Sequence, residues 1–285
     1  VSVPAGYRVD SHVFLVPETD EVVPTQPGWT WRNEWTHHLV KDIMVPVMSL
    51  QGVKYYIHGS EHIPTSGGVL MAANHTGYYD FVAGALPGLV RGRRPVRYMA
   101  KKELWDDPFT RWISNGGKQI PVDRSRGAAS IDAAVESLKN GEYVGIFPDG
   151  TLSRSFELSD WKSGAARIAQ KADVPLVPCA IWGSQRIWTK GRKKELGRTG
   201  YPIIVNVGPP VPTDGTPEEA TARLVDAVQQ LLDEARQMYS DKFGPFEPGL
   251  DWMPASMGGS APTPEEAREL NRREKEERER KKAQK

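Results

Sequence analysis

The stretch MAANHTGYYDFVAGALPG, residues 71–88, changes its pattern in the middle. Its first part completes a short apolar run, VLMAAN, with the length and composition of a buried strand; its second part, YYDFVAGAL, is apolar enough to be a helix laid on a sheet. Between them stand His75 and Gly77, and Asp80 follows the histidine by five positions. In a continuous helix five residues rotate the chain by about 500°, which leaves the two side chains roughly 140° apart. They can meet if His75 sits in a strand-to-helix turn and Asp80 in the first helical turn, and Gly77 permits such a turn. Asp80 then accepts a hydrogen bond from one imidazole nitrogen and leaves the other as an acceptor, the arrangement of a general base.

The same alternation runs outward from this point. GGVLMAAN, RYMAK, YVGIFPD, VPLVPCAIWG and PIIVNVGPPVP are short, apolar and rich in β-branched residues, while AASIDAAVESLKNG and KSGAARIAQKAD between them have helical spacing. The pattern predicts an α/β domain on a largely buried sheet. A final amphipathic helix, PEEATARLVDAVQQLLDEARQMY, opens with proline and acidic residues and ends the core near residue 243. The domain is therefore expected to span 33–243.

Upstream, residues 1–32 are read as an irregular, proline-bearing lead-in. Residues 33–50 place Leu39, Val40, Ile43, Met44, Val47 and Met48 at helical spacing, with Trp29, Trp31 and Trp35 clustered at the entrance. This predicts an amphipathic helix, bent or ended near Pro46, that packs on its own domain or lies in a lipid interface with its tryptophans at headgroup level. Downstream, residues 244–264 form a Pro/Gly/Ser-rich linker, and residues 265–285 a charged tail, helical or disordered.

The composition narrows the function. A chain of 285 residues, 39% hydrophobic, buries a substantial core, and a net charge of +1 from 37 basic and 36 acidic residues supplies no global field for nucleic acid. Cys179 is the single cysteine, so an internal disulfide framework and a CxxC motif are excluded; its place inside VPLVPCAIWG reads as core. The other five histidines, His12, His37, His38, His58 and His62, have no metal-ligand companions at a recognisable spacing. No run approaches the ~18 to 20 apolar residues that span a bilayer, and no signal peptide is legible, so the expectation is a soluble or membrane-surface protein.

An imidazole, with an ordinary pKa of about 6.5, suits proton removal near neutral pH. The chain has no G-x-S-x-G elbow, P-loop or G-x-G-x-x-G fingerprint, so the hydroxyl it activates is assigned to a substrate. Three further stretches describe that substrate. GGKQIPVDR ends a strand with Arg124, AKKEL places Lys101 and Lys102 after another, and FPDGTLSRS carries Asp149, Gly150, Thr151 and Arg154 on a turn. Cations at successive strand ends converge on one rim of an α/β sheet, where an arginine can pair with a phosphate.

These blocks, in this order, resemble the lysophosphatidic acid and glycerol-3-phosphate acyltransferases over about residues 50–210. NHTGYYD matches that family's N-H-x4-D block, GGKQIPVDR its glycine-led strand ending in VDR or IDR, FPDGTLSRS approximates F-P-E-G-T-R-S, and VPCAI at 177–181 matches its V-P-x-x-I strand. The third block departs from the pattern: Asp149 stands for Glu, Leu152 for Arg, and the nearest arginine is Arg154. The resemblance implies a glycerolipid acyltransferase-like fold with a mixed, largely parallel sheet flanked by helices. It also implies His75 and Asp80 as the catalytic pair and Lys101, Lys102, Arg124, Asp149, Gly150, Thr151 and Arg154 as the substrate-binding set. The acceptor is lysophosphatidic acid and the donor acyl-CoA or acyl carrier protein, with no metal or further cofactor; backbone N–H groups near the turns serve the oxyanion. The expected seat is peripheral, on the cytoplasmic face of the membrane. The Leu152 departure leaves room for glycerol-3-phosphate or an inositol mannoside as acceptor, and a lipid-binding protein without activity is the reading from another class.

Overall fold

The computed structural model describes residues 3–123 and 127–283, apart from the side chains of Arg278, Lys282 and Ala283. The described residues form one nine-stranded sheet from β1 (Tyr7–Asp10), β2 (Phe14–Pro17), β3 (Lys54–His58), β4 (Val69–Ala73), β5 (Val96–Lys101), β6 (Ile120–Val122), β7 (Tyr143–Ile146), β8 (Leu176–Trp182) and β9 (Pro202–Val207). Its order is β1-β2-β3-β9-β8-β4-β7-β5-β6. The block β8-β4-β7-β5-β6 is parallel throughout, so its five carboxyl ends share one rim. β9 runs antiparallel to β8, and β3 and β2 follow β9's direction.

The strand at the centre shows why the chain folds this way. Every residue of β4 is buried, because helices cover both faces of the sheet. Val69, Met71 and Ala73 enter one layer with Val45 and Met48 of α1 (Trp31–Gln51) and Leu86 of α3 (Leu86–Val90), which follows the short α2 (Asp80–Ala83). Leu70 and Ala72 enter the other layer, which α5 (Gly127–Lys139), α6 (Gly164–Ala172) and the first half of α7 (Pro217–Phe243) cover. Full burial of such a branched side chain contributes about 1.5–3 kcal/mol. α4 (Pro108–Gly116) lies beside α1, and α8 (Pro264–Ala283) ends the described chain.

The ends of the chain differ from expectation. The lead-in at 1–32 contains the β1–β2 hairpin, which extends the sheet edge through a parallel pairing of β2 with β3. Helix α1 continues through Pro46; its one non-helical residue is Glu34 (φ −132°, ψ 39°). Pro46 is exposed, so the carbonyl that loses its partner there can turn to water. Residues 244–264 do not behave as a free linker: Trp252, Met253 and Ala261 are buried against Leu232, Ala235 and Tyr239 of α7. The tail forms α8, with Ala267 buried at its start. Among the described residues no helix is long and apolar enough to cross a membrane.

Candidate active site

The parallel block brings the chemistry to one rim. Asn74 and His75 follow β4, Phe147 and Asp149 follow β7, Ser184 follows β8, and Lys101 and Lys102 mark the end of β5. The side chain of Asn74 continues the sheet where the ladder stops: its Nδ2 donates to Ile181 O at 3.0 Å and its Oδ1 accepts from Ile181 N at 2.7 Å. The histidine is thus fixed to the neighbouring strand through its predecessor.

His75 and Asp80 meet as the turn requires. Nδ1 lies 3.0 Å from Asp80 Oδ2, and the same oxygen accepts from the backbone N–H groups of Thr76 at 2.6 Å and Gly77 at 2.8 Å. The hydroxyl of Ser184 donates to the other carboxylate oxygen. Asp80 is fully buried and His75 is 8% exposed. An ionised Asp80 accepts at all four contacts, which assigns the Nδ1 proton to the histidine and leaves Nε2 as its acceptor. Gly77 is needed for close approach, since a Cβ there would lie 2.7 Å from Ser184 Oγ and 2.8 Å from its backbone carbon.

The imidazole ring is also held by stacking. Phe147 packs on its face with centroids 4.4 Å apart, and Phe81 meets it edge-on at 5.4 Å. Phe81 also lines an apolar cavity of about 350 Å³, together with Val40 and Met44 of α1, Leu86, Tyr98 and Ile113. Phe81 therefore stands between the imidazole and a space fit for hydrocarbon.

The first turn of α1 is tied to the cavity wall by charge. Arg97 of β5 grips Glu34 with both terminal nitrogens, at 2.6 and 2.7 Å, and Lys118 adds a contact at 2.8 Å. Burial opposes ionisation of Glu34, yet the hydrogen bonds from Arg97, His37 and Lys118 outweigh it and hold the carboxyl well below the usual range.

The remaining expected site residues divide. Asp149 turns inward: one oxygen accepts from the backbone N–H of His75 at 3.1 Å, the other from Ser159. Burial pushes its carboxyl up, against the hydrogen bonds from Ser159. In this arrangement it braces the histidine turn. Gly150 supplies a left-handed residue (φ 64°), and Thr151 Oγ1 accepts from Lys190 Nζ at 3.0 Å. Leu152, at the position where the resembled pattern has arginine, is buried, and the nearest arginine, Arg154, bonds to Glu274 and Asn271 of α8. Lys101 and Lys102 are exposed two strands along the rim from β4, and Lys102 lies 3.2 Å from Asp123. Arg124 lies outside the described residues. The backbone N–H groups of His75, Thr76, Gly77, Tyr78 and Asp80 all donate within the protein, so the histidine turn itself offers no oxyanion donors from this set.

Ser184, Thr76 and Phe147 were not legible as site residues. Ser184 follows a buried strand and a glycine, a common turn signal, and its partner Asp80 lies 104 positions earlier. Cys179 is buried in β8, and burial pushes its thiol up, in keeping with packing.

Known proteins share this framework. The family model described as Acyltransferase matches residues 54–182, from β3 to the end of β8. The 1-acyl-sn-glycerol-3-phosphate acyltransferase of Bacillus subtilis is 35% identical over 199 residues, covering 66% of this chain and 90% of the relative. The human 1-acyl-sn-glycerol-3-phosphate acyltransferase alpha is 28% identical over 238 residues, 80% of this chain and 78% of that one. In fold, the chain is similar to the crystal structure of the 1-acyl-sn-glycerophosphate (LPA) acyltransferase PlsC of Thermotoga maritima, with a TM-score of 0.54 at 21% identity, over 75% of this chain and 85% of that one. With the four sequence blocks in order along the chain and a relative 35% identical and matched over 90% of its length, the chain belongs to the 1-acyl-sn-glycerol-3-phosphate acyltransferase family.

Proposed function

We propose that this chain transfers a fatty acyl group from an acyl thioester, acyl-CoA or acyl carrier protein, to the free hydroxyl of 1-acyl-sn-glycerol-3-phosphate, giving phosphatidic acid. The observation that carries the reading is the buried His75–Asp80 pair, with Phe81 standing between His75 and an apolar cavity, in a chain of this family. The acceptor hydroxyl gives its proton to His75 Nε2 as its oxygen attacks the thioester carbonyl. The tetrahedral intermediate then collapses, the C–S bond breaks, and the proton on His75 passes to the departing sulfur. Asp80 stabilises the transient imidazolium, and Ser184 with the Thr76 and Gly77 amides keeps that carboxylate in place. The acyl chain occupies the cavity between α1 and β5.

The working surface in this reading is the membrane, met peripherally on its cytoplasmic face. What supports it is the outer side of α1, where Trp31, Ile43, Val47 and Leu50 are exposed, with Phe109 and Trp112 of α4 exposed nearby. Trp35 packs on the exposed Trp112 with centroids 4.4 Å apart and so joins this surface.

The test is thiol release from palmitoyl-CoA with lysophosphatidic acid, glycerol-3-phosphate and an inositol mannoside as separate acceptors. Lysophosphatidic acid should support turnover, and His75→Ala should lower kcat by about 10²- to 10⁴-fold while the variant stays folded. Turnover with another acceptor alone moves the substrate and keeps the mechanism. Unchanged turnover in His75→Ala sinks the mechanism.

A further inference from the structure

The C-terminal helix reaches into the cationic part of the site. Arg154 donates from Nη2 to Glu274 Oε2 at 2.9 Å and from Nε to Asn271 Oδ1 at 3.2 Å. Lys190 Nζ lies 3.4 Å from the same Glu274 oxygen and donates to Thr151 Oγ1 at 3.0 Å. Both cations are largely withdrawn from water, with side chains 17% and 19% exposed. Both also neighbour residues bonded to the histidine turn: Ser153 N donates to His75 O at 2.8 Å, and the Thr189 hydroxyl donates to Thr76 O.

A guanidinium and an ammonium converging on one anionic oxygen beside a hydroxyl is the donor set that a phosphomonoester asks for. Within α8, Arg272 and Lys281 pair with Glu276 and Glu277 at exposed positions, and Glu274 also reaches across 120 positions of sequence to Arg154.

Taking Arg154 and Thr151 as part of the acceptor's phosphate seat, as the resemblance implies, we infer that Lys190 is the second cation of that seat and that Glu274 fills it until the acceptor displaces it. The inference rests on the acyltransferase reading for its ligand. Entry of the acceptor is an exchange of one anion for another, and α8 loosens from the rim when the exchange occurs. Competition from a tethered carboxylate lowers apparent acceptor affinity by the fraction of time the seat is open.

Two readouts on the full-length protein test this. Inorganic phosphate, as a stand-in for the headgroup, is titrated by calorimetry into the wild type, Glu274→Gln and Glu274→Gln/Lys190→Gln. Glu274→Gln should bind phosphate about tenfold more tightly, and the double variant should lose that gain, as expected for a charge-assisted contact. With lysophosphatidic acid, Glu274→Gln should lower KM about tenfold at unchanged kcat, Lys190→Gln should raise KM by a similar factor, and Lys190→Arg should restore it. A merely structural latch gives a lower Tm in Glu274→Gln with phosphate affinity and KM unmoved, and that result overturns the inference. Lack of turnover with lysophosphatidic acid in the wild type would instead strike the functional reading, while the phosphate titration still reports on the seat.

Discussion

On the polar side of the site, Asp80 alone takes four hydrogen bonds, Asn74 is clipped to β8 from both ends of its amide, and His75 is bonded at Nδ1, stacked on Phe147 and held through its backbone N–H by Asp149. On the apolar side, α1 is anchored at its first turn by the Glu34–Arg97 grip and then runs over an open cavity with an apolar outer face. The first wall fixes a proton-transfer geometry, where a displacement of about 1 Å can cost about 10²-fold in rate. The second, under the proposed function, has only to exclude water from an acyl chain with no directional contacts, and it is built with empty volume and soft side chains such as Met44.

The largest expected effect comes from cutting the anchor. Arg97→Met leaves Glu34 buried without its main partner and should destabilise the protein by about 3–5 kcal/mol, read by denaturant unfolding. The pH dependence carries the sign. Glu34's carboxyl is depressed in the folded protein, so its contribution is complete above its ordinary pKa of 4.5 and drains away as pH falls below that value. Arg97→Met should lose this acid-side step, and a variant as stable as the wild type at pH 7 would show that the grip anchors nothing.

Ser184→Ala is next, and acts on the polar wall. It removes a hydrogen bond to a buried carboxylate, worth about 1.5–3 kcal/mol, and should lower kcat by about 10- to 100-fold with little change in KM. A loss confined to stability would mean that Asp80 is held well enough without it.

Met44→Trp fills the cavity from α1 and should move donor preference toward shorter acyl chains. Each methylene denied burial costs about 0.8 kcal/mol, or roughly fourfold in relative kcat/KM. An unchanged chain-length profile would place the acyl group elsewhere.

The smallest effect is expected at the outer face: Trp31→Glu with Ile43→Glu should reduce partitioning onto vesicles severalfold, yet leave turnover on a detergent-dispersed acceptor nearly intact. Equal losses in the two assays would contradict a lipid-facing role for α1.

The two walls were not equally legible in the sequence. The strands of the parallel block stood out because burial on both faces makes them continuous apolar runs, and the His75 turn was legible because its two partners lie five positions apart. Ser184, Lys190 and Glu274 were not, since each acts on a residue far away in sequence and only the pairing of β8 with β4 and the return of α8 bring them in. The β1–β2 hairpin was missed because its strands are four residues each and its turn places Ser11 and His12, rather than glycines, at positive φ. Residues 244–264 read as a linker because proline and glycine are frequent in them; the apolar side chains scattered among these, Trp252, Met253 and Ala261 foremost, dock the segment on α7.

The common direction of β8, β4, β7, β5 and β6 also divides the protein for the experimenter. The rim opposite the site holds the turn at 139–142 before β7 and the exposed loop after β9, which bonds back to Leu176 at the start of β8. A fluorophore, an affinity tag or a tether to a solid support attached near Asp214 would sit a full strand length from the reacting atoms, on backbone that is largely exposed. The enzyme can thus be immobilised or watched from behind while the rim that carries His75 stays free.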